Sequence, residues 1–104
     1  MPSNGINFAE IKLATLQNTL SLVREWLPDG VVKGGECVAR NPQRLDRKLG
    51  SFKINLRTGA WSDFAIDESG GDLISLAAYI FSLSQADAAR HIASMLGMEV
   101  GNGR

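Results

Sequence analysis

Ser51-Phe52-Lys53-Ile54-Asn55-Leu56 alternates strictly between polar and apolar residues. Period two marks a strand with one face buried and the other wet. Phe52, Ile54 and Leu56 therefore face one way, and Lys53, Asn55 and Arg57 the other. Such a strand needs neighbours in a sheet and a cover for its apolar face, because an isolated hairpin is marginal in water. The neighbours are legible on both sides. Val31-Val32-Lys33 and Glu36-Cys37-Val38-Ala39 flank Gly34-Gly35, the pattern of a hairpin with a two-residue turn. Arg57-Thr58-Gly59 turns the chain again, and Ala60-Trp61-Ser62-Asp63-Phe64 reads as the returning strand.

Helices supply the cover. Asn7 is a good N-cap, with Glu10 in the capping-box place and Ile6 and Ile11 at the staple positions. Ile11, Leu13, Leu16, Leu20, Val23 and Leu27 then recur at helical spacing, with a weakness from Thr15 to Thr19. Leu27-Pro28-Asp29-Gly30 ends that helix. After Gly70-Gly71, Asp72 or Ser69 caps a second helix through Phe81, with Leu73, Leu76, Ala77 and Ile80 along one face. Ser84 and Asp87 open a third, whose inward face is Ala88, Ile92, Met95 and Leu96 and whose end is Gly97. The expected fold is α+β: an N-terminal helix, a small antiparallel sheet of about four short strands, and two C-terminal helices packed on it. The expected domain runs 7–97, between a flexible 1–6 and a flexible 98–104.

A chain of 104 residues, 44% apolar and 21% charged, suits one globular domain. The longest apolar-leaning run, Leu73 to Leu83, falls short of the roughly 20 residues a membrane span needs. Met1-Pro2-Ser3-Asn4-Gly5 has no signal-peptide pattern, so a cytoplasmic location is expected, with no membrane partner. Cys37 is the only cysteine and His91 the only histidine. No internal disulfide can form, and no cluster of soft ligands points to zinc. A nucleophile–histidine arrangement would have to use His91, which sits in a helix pattern far from Cys37. No catalytic residue, enzyme activity or cofactor is expected.

Net charge is zero, yet the charges are segregated. From Lys33 to Arg57 the seven bases Lys33, Arg40, Arg44, Arg47, Lys48, Lys53 and Arg57 face only Glu36 and Asp46, which leaves +5. Asp63, Asp67, Glu68 and Asp72 follow with no base between them. Basic side chains in a loop (Arg40, Arg44, Arg47, Lys48) and on the polar side of a strand (Lys53, Arg57) can meet a phosphate backbone. Trp61 either packs in the core or lies exposed beside them and stacks on a base. The acidic stretch lacks the spacing of an oxygen-ligand metal loop and reads as a solvated edge. Gly70-Gly71-Asp72 reads as a turn and cap; a phosphate there would compete with the Asp72 carboxylate.

Gly50-Ser51-Phe52-Lys53-Ile54, Trp61-Ser62-Asp63-Phe64, Gly70-Gly71-Asp72-Leu73-Ile74-Ser75-Leu76 and Asp87-Ala88-Ala89 with Ala93 resemble the N-terminal zinc-binding domain of bacterial and phage DNA primases. The likeness spans roughly residues 31–97, and the leading helix resembles segments of mobile-element primase-like proteins. It departs at every metal position. Asn41-Pro42 stands where that family has Cys-Pro, Arg44 near its histidine, Asp63 at its third ligand, and Ala65 or Ile66 near its fourth. The resemblance implies a degenerate, zinc-free form in which packing by Phe52, Trp61 and Phe64 replaces the free energy of metal binding. It also implies a template-binding module, since the family's catalytic carboxylates lie in another domain. The expected function is non-catalytic binding of nucleic acid, with single-stranded DNA favoured, in a replication or mobile-element system. The rival expectation is a protein-interaction module docking a separate primase or helicase through the first helix or the acidic face.

Overall fold

The computed structural model describes residues 6–43 and 50–98. Two helices, α1 (Phe8–Gln17) and α2 (Thr19–Trp26), lead into strands β1 (Val31–Lys33), β2 (Glu36–Ala39), β3 (Phe52–Asn55), β4 (Trp61–Asp63) and β5 (Glu68–Gly70). Helices α3 (Leu73–Phe81) and α4 (Gln85–Met95) follow. The strands form an antiparallel meander in sequence order. The α+β class is as expected, with five strands rather than four. β5 escapes sequence patterning because it is an edge strand: Glu68 and Ser69 are exposed and carry no apolar pattern.

The alternation of β3 is realised. Phe52 and Ile54 are fully buried, while Lys53 and Asn55 are half-buried on the opposite face. The inward face adds Cys37, Ala39 and Trp61. These join Ile11, Leu22, Val23 and Trp26 from the first two helices and Leu73, Leu76, Ala77, Ala88, Ile92 and Ala93 from the last two in one core. Ile6 and Met98, at the borders of the expected domain, pack against that core. Of the expected flexible ends 1–6 and 98–104, residues 1–5 and 99–104 lie outside the described residues.

The leading helix differs from expectation in two linked ways. It breaks at Asn18, and it turns its leucines outward. Thr15 donates its hydroxyl to the Lys12 carbonyl (2.6 Å), Asn18 its amide to Ala14 (2.9 Å) and Thr19 its hydroxyl to Thr15 (3.0 Å). Side chains that compete for main-chain carbonyls bend or interrupt a helix. The Asn18 N–H then bonds three residues back, to Thr15, and α2 restarts with its own register. Ile11, Thr15, Thr19, Leu22 and Trp26 face inward, and the hydroxyls cost little to bury because the helix itself satisfies them. Leu13 (58% exposed), Leu16 (40%) and Leu20 (40%) are left in solvent. On α4, Met95 is likewise exposed, and Ala89 and Ala93 take inward places.

The expected caps form. Asn7 accepts from the Glu10 N–H, Asp72 from Ser75 and Ser84 from Asp87. α4 ends in a Schellman arrangement: Gly97 sits at φ 72°, its N–H bonds Ser94, and the Met98 N–H bonds Ala93. Replacing Asn7 or Ser84 by alanine should cost about 0.5–2 kcal/mol each, read from urea unfolding midpoints. A loss below about 0.3 kcal/mol at both would show that these caps carry no weight, since the smallest measured cap effects lie near 0.5.

Candidate nucleic-acid interface

The helices gather on the inward side of the sheet, so the outward side carries the candidate chemistry. One row crosses all five strands: Val31 pairs Val38, Val38 pairs Lys53, Lys53 pairs Ser62 and Ser62 pairs Ser69. Glu36 and Asn55 form a second row beside it. Phe64 follows the inward Asp63 and turns outward, 68% exposed. Its N–H donates to the Ser51 carbonyl at 3.0 Å, which ties it to the start of β3.

Lys53 is the central cation of this face. Its Nζ stands 5.5 Å from the centre of the Phe64 ring, and among the described residues no carboxylate lies within ion-pair reach of it. A groove of about 240 Å³ runs beside it, lined by Lys53, Asn55, Ser62, Phe64 and Glu36 among others. Asn55 spends its carbonyl oxygen on the N–H groups of Arg57 and Thr58, shaping the β3–β4 turn. Its amide N–H₂ and the Ser62 hydroxyl have no hydrogen-bond partner among the described residues.

The other sequence candidates separate. Arg57 is exposed in the turn after β3. Arg40 lies past the end of β2, near the opposite end of β3, and approaches Asp29 at 3.9 Å. Lys53 therefore lies between two arginines strung along one strand direction. Arg44, Arg47 and Lys48 lie outside the described residues. Trp61 belongs to the core: it is 5% exposed, stacks on Tyr79 at 4.9 Å and donates its indole N–H to Ser75 at 3.1 Å. That corrects its place among base-stacking candidates. Phe64 is corrected the other way, since it adds nothing to the core. Parity held the signal: residues three apart on one strand cannot share a face, so Trp61 inward puts Phe64 outward.

The acidic stretch is dispersed. Asp72 is spent as a helix cap and lies 3.8 Å from Lys12. Asp63 is fully buried. It accepts from the Asn41 side-chain amide at 2.8 Å and from the Ala65 N–H at 2.9 Å. Asn41, also buried, donates a second bond to the Tyr79 hydroxyl at 2.8 Å and accepts from the Gln43 N–H. Sequence patterning does not reveal this network, in which Asn41 and Asp63 meet across 22 residues.

Cys37 is buried, and burial pushes its thiol above the ordinary value, opposed in part by the Arg24 charge. A raised, hidden thiol makes a poor nucleophile. His91 is exposed on α4, its ring 5.1 Å from that of Phe81. Among the described residues, no three of His, Cys, Asp or Glu are placed to hold a metal ion, and no helix is long and apolar enough to cross a membrane. Compared with family models, curated proteins and solved structures, the chain matches none.

Proposed function

We propose that this domain is a non-catalytic nucleic-acid-binding module, with single-stranded DNA as its ligand, serving a primase system of a replicon or mobile element in the cytoplasm. The observation that carries the reading is the outward sheet face, where Lys53 has no carboxylate partner among the described residues and stands beside the half-buried Ser62 hydroxyl and Asn55 amide. A strand's outward cation with a second at the following turn, Arg57, suits a backbone laid along the sheet. Such contacts supply affinity and position but no sequence discrimination. The resemblance to primase zinc-binding domains points to template DNA independently of the charges.

The double variant Lys53→Glu/Arg57→Glu tests it. Both side chains lie outside the core, so the fold should survive, as circular dichroism would check. Binding to any single strand should weaken by a similar factor. The slope of log affinity against log salt should flatten by about 1.4, at roughly 0.7 for each phosphate that no longer meets a cation. A folded double variant that binds as tightly as its parent would remove the basis of the reading.

A second reading rests on its own observation. Leu13, Leu16 and Leu20 present an apolar stripe on α1 and α2, beside an open depression of about 620 Å³ at the helix break. Exposed apolar patches mark partner surfaces, and a separate primase or helicase would be the partner. Leu13→Lys/Leu20→Lys should then abolish that association without altering DNA binding.

A further inference from the structure

Phe64 is an apolar ring that the fold places in water on a hydrogen-bonded stretch of backbone. Burying a phenylalanine is worth about 1.5–3 kcal/mol in ordinary bookkeeping, and the neighbouring aromatics take that gain: Phe52 and Trp61 are buried and Tyr79 is half-buried. Phe64 does not. Its backbone is nonetheless fixed on both sides. The Phe64 N–H is bonded to Ser51, and the preceding Asp63 is buried and accepts from the Ala65 N–H that follows. The backbone that carries the ring is therefore preorganised, and preorganisation lowers the cost of binding.

Its surroundings combine the parts that recognise an unpaired nucleotide. An ammonium group stands 5.5 Å from the ring centre, Lys53 Nζ, available to a phosphate. A groove of about 240 Å³ continues from the ring past Ser62 and Asn55 to Glu36. The Ser62 hydroxyl and Asn55 amide can bond base edges. Glu36 turns phosphate away from its end, which leaves the backbone to the Lys53 side. We infer that Phe64 is a stacking platform for one unpaired base, and that this contact makes the domain select single strands over duplex. In a duplex both faces of each base are already stacked, so only a single strand can offer one. The inference rests on the nucleic-acid reading above and adds to it the residue that distinguishes strand state.

The test uses fluorescence anisotropy with the whole chain at low salt. The probes are a mixed-sequence single strand of about 12 nucleotides, within the usual site sizes, the same strand with abasic sugars throughout, and the matching duplex. Phe64→Ala should weaken binding of the intact strand by about 5- to 140-fold, which is 1–3 kcal/mol of stacking at 1.4 kcal/mol per decade. It should leave abasic binding and the salt slope unchanged. Phe64→Tyr should restore the parent's affinity. An exposed side chain should leave the melting curve in place, which separates binding from folding. If Phe64→Ala binds the intact strand as the parent does, or the parent binds the abasic strand equally well, the stacking role is overturned while the phosphate reading stands. If the parent binds none of the probes, the underlying reading fails and takes this inference with it.

Discussion

Phe52→Ala should destabilise the domain by about 3–5 kcal/mol. Phe52 has no exposed surface and sits at the middle of the sheet's inward face. Its ring meets Trp61 edge-on, with centroids 6.0 Å apart at 70°, and Tyr79 at 6.3 Å. Trp61 and Tyr79 in turn stack on each other at 4.9 Å. Truncation thus removes one member of a three-ring cluster and leaves a void between strand and helix. Neither remaining ring can close it easily, because Trp61 is tethered to Ser75 and Tyr79 to Asn41. Natural domains have only about 5–15 kcal/mol in total, so much of the population should unfold at modest urea. Equilibrium unfolding followed by near-UV circular dichroism measures the loss. A cost under about 1 kcal/mol, the range of surface changes, would place Phe52 outside the core.

Asp63→Ala should also destabilise the domain, for a different reason. The carboxylate is buried and accepts from the Asn41 amide and the Ala65 N–H. Removing it strands the buried Asn41 amide, at roughly 1–3 kcal/mol before any void is counted, whereas Ala65 is exposed and water can take over the bond to its N–H. Asn41→Ala should show strong coupling with it: the double variant should lose less than the two single losses added together, because the groups share one network. Under the proposed kinship with primase zinc-binding domains, these two positions would stand where metal ligands are expected. A hydrogen-bonded clasp joining them predicts a melting curve that a chelator does not move. Additive single losses, or unfolding by chelator, would refute the clasp.

Much of the fold can be read from local rules. The β3 alternation, the Gly34-Gly35 hairpin and the caps at Asn7, Asp72, Ser84 and Gly97 each depend on a few adjacent residues, and the structure keeps them. The inward face of the leading helix depends on more than periodicity. Leucine is the natural choice for the core, but Ile11, Leu22 and Trp26 define a stripe that passes through Thr15 and Thr19. Threonines that donate to their own helix are cheap to bury, a fact that composition conceals. β5 is hidden because an edge strand needs no apolar residues. Asp63 is hidden because its inward parity contradicts its charge, and the residue that resolves the contradiction, Asn41, is far away in sequence. At the candidate site, the basic residues can be counted but not placed. Lys53 is legible from strand parity. The exchange of roles between Trp61 and Phe64 becomes visible only once the inward side of β4 is known.

The outward face of the sheet is where the nucleic acid should sit. The most direct measurement is a ¹⁵N-labelled amide spectrum recorded while a short single strand is added at low salt. Binding through that face predicts shifts concentrated at Val38, Lys53, Ser62, Phe64 and Ser69, with Leu13, Leu16 and Leu20 unmoved. No shift at saturating strand, or shifts confined to α1 and α2, would contradict it.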